Sequence, residues 1–229
     1  MKNNIVKFLI RLSVVVLGVL ISFSIEKKRA LSYKEDLKNT SLRKMIGNIE
    51  HDKADNTINY KEHTIICKYA KRLLSASDEL FANNRDSLGY YLNAVIKGQT
   101  IFMDNKEEYL TLRNSGLLAL IDNDSLVSLL QKKYSLQSFY NKMDEIQLHM
   151  LHETTMALAP KTSANVIGRT LTTGFYGTYI DKNPLTNTDL ILILEKYEIS
   201  EALIGISKTN LHQDSILIEL INQELINTE

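Results

Sequence analysis

SLRKMIGNIEHDKADNTINYKEHTIICKYAKRLL, residues Ser41–Leu74, is the stretch whose reading decides the fold. Leu42, Met45/Ile46, Ile49, His63, Ile66/Cys67, Ala70 and Leu73/Leu74 recur at heptad-like spacing, so one face of a helix is repeatedly apolar. Between its two apolar ends the same stripe passes Asp52, Asn56 and Asn59. The centre is therefore polar. Two readings follow: a seam or stalk wet in its middle, or a polar pocket between helices. The helix itself suits a span from about Tyr33 to Ser75, with no proline to break it.

Working towards the N-terminus, FLIRLSVVVLGVLISFSIEKKR (Phe8–Arg29) is either an anchor or a cleaved signal. Leu12–Ile25 alone is about 21 Å of helix, short of the ~30 Å hydrocarbon core. Residues 5–25 are long enough if Lys7 and Arg11 reach an interface along their flexible stems. The cleaved-signal reading rests on a basic start, an apolar run and Ser22-Phe23-Ser24 as a small-x-small site, removing residues 1–24. No cysteine lies nearby, so a lipoprotein anchor is excluded. Basic residues flank both ends and orient the span only weakly. Gly18 and Ser22 form a small-xxx-small pair that suits close packing of two spans.

Composition bounds the rest. The chain has 229 residues, 44% hydrophobic and 24% charged, with a formal net charge of zero. Six of its 27 basic residues and one of its 27 acidic residues fall within 1–29, leaving 21 against 26 and a net charge of −5 beyond. An acidic body argues against nucleic acid, which demands a basic face. Two prolines and nine glycines disfavour a turn-rich all-β domain, and the single cysteine, Cys67, forms no internal disulfide.

The expectation is an all-α chain in two parts: a short cytoplasmic N-terminus with a transmembrane helix in 1–29, and an extracytoplasmic helical bundle in 30–229. A helix is expected over Asp78–Ile96 with Tyr90-Tyr91 in the core. Asp104-Asn105 would cap the next one, and Ser115-Gly116 would end it, with Gly116 left-handed. Asp122 or Asp124 would cap a helix running to about Ala159, its stripe passing Leu126, Leu129/Leu130, Lys133/Tyr134, Leu136/Gln137 and Tyr140. Leu117, Leu118, Leu120 and Ile121 would plug the corner between the two. Residues 161–188 are expected to form a surface loop with a short hairpin. Asn187 or Thr188 would cap a closing helix, apolar at Leu190, Ile193/Leu194, Tyr197, Ala202 and Ile206. A stretch to Ile226 would continue it.

VVVLGVLIS (Val14–Ser22), the charged helix after it, and YLTLRNSGLLALIDNDSLVSLLQKKYSLQSFY (Tyr109–Tyr140) together resemble a family of uncharacterised single-span membrane proteins common in Bacteroidetes-type bacteria, known as a domain of unknown function. The matching positions in the second patch are Leu112, Ser115, Gly116, Leu118, Leu120, Ile121, Asn123, Leu126 and Tyr134. The resemblance implies an anchored helical fold and carries no activity. The chain departs from the family pattern at Arg11 and at EKKR, on either side of the span.

Chemistry is sparse. Glu145, His149 and His152 share one face of a helix and are weak candidates for a metal such as zinc, with a fourth ligand from elsewhere; Glu153 lies just beyond. The His-Glu-x-x-His pattern of a zinc peptidase is missing. Cys67 with His63 one turn earlier could be a nucleophile pair, but a small buried thiol is the better explanation of that position in an extracytoplasmic helix. No G-x-S-x-G elbow occurs, Gly168, Gly174 and Gly177 make no phosphate loop, and Asp181-Lys182-Asn183 lacks the later ligands of a calcium loop. No catalytic residue, cofactor site or cofactor is expected, and the chain is not expected to be an enzyme. The expected function is a membrane-anchored interaction or scaffold protein in a bacterial inner membrane, single-pass, with its body in the periplasm. Its partners would be the bilayer through residues 5–25 and a protein partner or a second copy. The alternatives are a ligand-sensing module that signals through a partner, and a metal-binding enzyme on the Glu145/His149/His152 face.

Overall fold

The computed structural model describes residues 2–103, 105–163 and 177–226, with the side chains among them except those of 2–10, 137, 138 and 141. The heptad stripe becomes a long helix, α1 (Lys2–Asn83), which departs from helical geometry at Ala76 (φ −149°, ψ 22°). Its seam positions are Lys38, Leu42, Met45, Ile49, Asp52, Asn56, Asn59, His63, Ile66, Ala70, Leu73, Ser77 and Leu80, alternating four and three residues apart, with Ser41 and Cys67 buried beside them. The closing helix, α6 (Asn187–Ile226), buries Asp189, Ile193, Lys196, Ser200, Ser207, Asn210, Asp214, Leu217, Ile221 and Glu224 on the same rhythm. The two run antiparallel, since Lys38 meets Glu224 near one end and His63 meets Ser200 further along. A repeat of 3.5 residues keeps one stripe facing its partner along the whole length.

Each end of the seam is apolar and draws in its own cover. At one end Leu42, Met45, Ile49, Leu217, Ile221 and Leu225 share a core with α3 (Glu107–Asn114), the tight turn Leu117–Leu120 and α4 (Asp124–Ser135). Tyr109 and Tyr134 stack there, with ring centroids 4.4 Å apart. At the other end Ala70, Leu73, Leu80 and Ile193 pack with α2 (Arg85–Lys97), Leu158 of α5 (Gln137–Leu158) and Tyr179. Tyr179 lies in β2 (Thr178–Tyr179), which pairs antiparallel with β1 (Thr162–Ser163). Among the described residues the fold is otherwise helical.

The polar seam residues bond across helices. Lys38 Nζ lies 3.1 Å from Glu224 Oε1 and donates to the Leu120 carbonyl, while Glu224 accepts from the backbone N–H groups of Asp122 and Asn123. This pair therefore fixes the corner after Gly116, whose φ of 72° is left-handed as expected. Lys133 of α4 bridges Asp52 (3.0 Å) and Asp214 (2.9 Å), all three buried. Asp52 also accepts from the Asn105 backbone N–H.

Several local expectations are corrected. Asn84 caps α2 and splits the expected helix over Asp78–Ile96. Asn123, rather than Asp122 or Asp124, caps α4 by accepting from the Leu126 N–H. Asn105 does not cap α3, whose N-cap position is Lys106 with no side-chain capping bond, and the Asn105 N–H instead donates to Asp52; Asp104 lies outside the described residues. The helix expected to run to Ala159 breaks at Leu136 into α4 and α5. Thr186 and Asp189 cap α6 reciprocally. The stripe expected on α6 is displaced: Leu194 and Ala202 are exposed, and polar residues take the seam, because α1 offers polar groups there. Of the 161–188 loop, only its two ends are described.

Among the described residues, no helix is long and apolar enough to cross a membrane. The expected span at 5–25 takes residues 5–10 from positions whose side chains lie outside that set, and Leu12–Ile25 alone is too short.

Two outcomes are expected from unfolding in urea. Lys133→Met leaves two buried carboxylates without their shared cation and costs about 3–5 kcal/mol; a loss within experimental error would contradict the bridge. Lys196 is buried, and desolvation lowers its pKa from 10.5 to about 8. Between those values the unfolded chain holds a proton that the folded one has released, so stability rises with pH there. His63, lowered to about 4 by burial and then by the Lys196 charge, adds a second rise between there and 6.5. Lys196→Met should flatten the alkaline rise and stabilise the protein at neutral pH by roughly 2–3 kcal/mol. An unchanged alkaline slope would show that Lys196 is not the group responsible.

Candidate functional site

On α1, Lys68, Lys71, Arg72 and Ser75 fall at i, i+3, i+4 and i+7, which places them along one side of the helix. Across from them α2 contributes Tyr90 and Tyr91, with Asp86 and Ser87 one turn earlier. Together with Tyr69 and the strand edge at Gly177–Thr178, they line an open groove of about 960 Å³. That is near the upper end of the usual size for a small-molecule site.

The tyrosines form a cluster. Tyr69 stacks on Tyr91 (centroids 4.9 Å apart, planes at 21°), and Tyr90 stands nearly perpendicular to both. The Tyr69 and Tyr90 hydroxyls lie 3.3 Å apart, and this bond raises the Tyr90 pKa, keeping the phenol neutral. Cations edge the cluster. Lys68 Nζ sits 5.9 Å from the Tyr69 ring centre and Lys71 Nζ 5.2 Å from that of Tyr197. Hydrogen bonding to Tyr197 raises the Lys71 pKa, so the ammonium stays charged. Arg72 approaches Glu79 at 3.6 Å in an exposed pair, and Asp86 accepts from the Thr178 hydroxyl at 2.7 Å.

The far wall is locked by two glycines. A methyl group on Gly89 would collide with the backbone of Gly177, Thr178 and Tyr179, so only glycine lets α2 lie this close to β2. One on Gly177 would strike Asn93 and the Ser163 carbonyl. Asn93 holds the junction, donating to the Gly89 carbonyl and accepting from the Thr162 hydroxyl. Tyr179 is buried behind it, its phenol pushed up to about 12, chiefly by desolvation.

The residues singled out from sequence lie elsewhere. Glu145, His149 and His152 are exposed on α5, and His149 faces Glu153 at 3.6 Å. Among the described residues, no three His, Cys, Asp or Glu groups stand together in a way that could hold a metal ion. Cys67 is buried, its Sγ pointing to the Tyr197 carbonyl, and burial followed by the Glu201 charge pushes the thiol up to about 11. His63 is committed to the Ser200 and Thr100 hydroxyls instead of Cys67. Asp181 accepts from the Asn183 N–H in a local turn; Gly168 and Gly174 lie outside the described residues.

The polar seam does enclose a cavity. Asn59, His63, Thr100, Asp144, Gln147 and Ser207 surround it, and burial raises the Asp144 pKa. Its volume of about 20 Å³ admits a water-sized molecule and no organic ligand. Tyr90 and Tyr91, expected in the core, are half-buried in the groove wall. The signal that locates the groove is the basic i, i+3, i+4 face of α1, which in sequence is indistinguishable from an ordinary solvated face.

No family model matches the chain, and neither a curated protein nor a solved structure matches it significantly.

Gly89→Ala should cost about 2–3 kcal/mol by forcing α2 off the strand. Gly47→Ala, where a methyl meets only open space, should stabilise the helix by up to about 1 kcal/mol. Thermal unfolding followed by circular dichroism checks both, and equal effects would show that the α2–β2 contact is not tight.

Proposed function

We propose that this chain is a membrane-anchored binding protein, held in a bacterial inner membrane by residues 5–25 and acting through its periplasmic helical body. The observation that carries this reading is the bare helix before the body. Val14, Val15, Val16, Leu17, Val19, Leu20, Ile21 and Phe23 are each 48–68% exposed, on every side of α1. Such a sleeve is costly in water, where a single contiguous apolar patch of a few hundred Å² already calls for cover. A bilayer covers it without any specific partner. The motif likeness to single-span proteins around Val14–Ser22 points the same way. Beyond it, residues 26–37 are exposed helix, and the first seam contact is Lys38. That spacing sets the body roughly 20 Å clear of the apolar run.

The groove's lining supports interaction as its role. It offers cations, phenols and two serines, but neither a histidine nor a cysteine to act as a base or a strong nucleophile. A ligand-sensing role signalling through a partner is favoured by the same concavity, since a scaffold needs no pocket. Gly18 and Ser22 offer a close-packing face for a second copy of the span.

Intact mass combined with carbonate extraction of native membranes tests the anchor. The expected result is the full-length mass in the membrane pellet. A soluble protein lacking residues 1–24 would overturn it.

A further inference from the structure

We propose that the groove between α1 and α2 binds an anionic ring compound: a phosphate or carboxylate joined to an aromatic or sugar ring. This builds on the binding-protein reading and names the chemistry its site would take. The body beyond residue 29 carries a net charge of −5, yet this wall gathers Lys68, Lys71 and Arg72 against one lining carboxylate, Asp86. Asp86 already spends one oxygen on Thr178. Neither lysine makes an ion pair among the described residues, although Lys71 bonds Tyr197 and is attracted by Glu201, and the exposed Arg72–Glu79 contact is readily exchanged for an incoming anion. Positive charge concentrated against the sign of its surroundings marks where an anion settles.

The tyrosines supply the second half of the recognition. Tyr69, Tyr90 and Tyr91 are half-buried beside the cations, so each ring keeps part of its surface open to the groove. Flat rings stack on such surfaces, and the hydroxyls remain neutral donors and acceptors for a polyhydroxylated one. The rigid Gly89–Gly177 wall holds these groups in place without the ligand, which limits the ordering that binding must impose.

The ligand's source is constrained by distance. From Ile25 to Lys68 the helix rises about 65 Å. If residues 5–25 lie in the bilayer, headgroups of that membrane are far from the groove. A soluble or cell-wall-borne anion can reach it.

The test is calorimetric titration of the full chain in detergent micelles with phenyl phosphate, inorganic phosphate and phenol, alongside flotation with phosphatidylglycerol vesicles. Phenyl phosphate should bind saturably and at least about tenfold more tightly than either fragment, with affinity falling as salt rises. The K71A/R72A variant should lose roughly tenfold or more, while Lys71→Arg should retain binding. Tyr90→Leu should abolish the advantage of the ring and leave inorganic phosphate binding as it was. Equal weak binding of all three probes, or full affinity in K71A/R72A, would overturn the proposal. So would vesicle binding that needs these cations in the absence of phenyl phosphate binding, because it assigns them to a lipid surface. Carbonate extraction is independent: binding by a cleaved, soluble chain retires the anchor alone, and an anchored chain that ignores phenyl phosphate retires the groove alone.

Discussion

Two helices, α1 and α6, meet along a heptad seam whose middle is charged and polar, and the placement of the other elements depends on that contact. Apolar seams can slide by a heptad with little penalty, because one leucine replaces another. A seam that pairs Lys38 with Glu224, and Asp52 and Asp214 with Lys133, cannot. A shift of register would strand buried charges, each worth several kcal/mol without its partner. Alignment is thus specified by the polar residues, and adhesion by the leucine-rich ends.

The bridges also recruit the third layer. Lys133 belongs to α4, so the triad pins that helix to the pair; Glu224 pins the preceding corner through the Asp122 and Asn123 N–H groups. The central stretch remains incompletely satisfied. Among the described residues the Asn56 side-chain amide and the Asn210 side-chain nitrogen have no hydrogen-bond partner, and Lys196 sits buried beside His63. Groups of this kind lower stability by about 1–3 kcal/mol each. The seam therefore trades strength for uniqueness of alignment at its centre, a use of buried polar residues known from coiled coils.

At its far end the seam holds α2 and the β1–β2 edge against α1, and their meeting creates the groove. Its charge comes from α1 and its rings from both helices, so neither helix alone presents the site. On the near side α1 continues beyond the body as a bare apolar rod. One continuous helix thus links an exposed apolar segment with a charged, tyrosine-lined concavity, and their separation is a matter of rise per residue.

Much of this was legible in the order of residues. Heptad spacing from Leu42 to Leu74, the left-handed stop at Gly116 and the corner plugged by Leu117 and Ile121 follow from local rules: side-chain period, positive φ and capping chemistry. What sequence could not settle is which polar residues face inward. Lys196, Asp214 and Glu224 look like solvent-facing residues of α6, while Leu194 looks like core, because one helix read alone ranks positions by hydrophobicity. Only the partner helix decides the register, since α1 offers polar groups at those levels. The groove is invisible for the same reason: Lys68, Lys71 and Arg72 become one wall only when Gly89 lets a strand edge and α2 close the other. Sequence determined the helical character of the chain and its stop at Gly116; contact between distant segments decided which faces are buried, where other helices break and where a ligand has room.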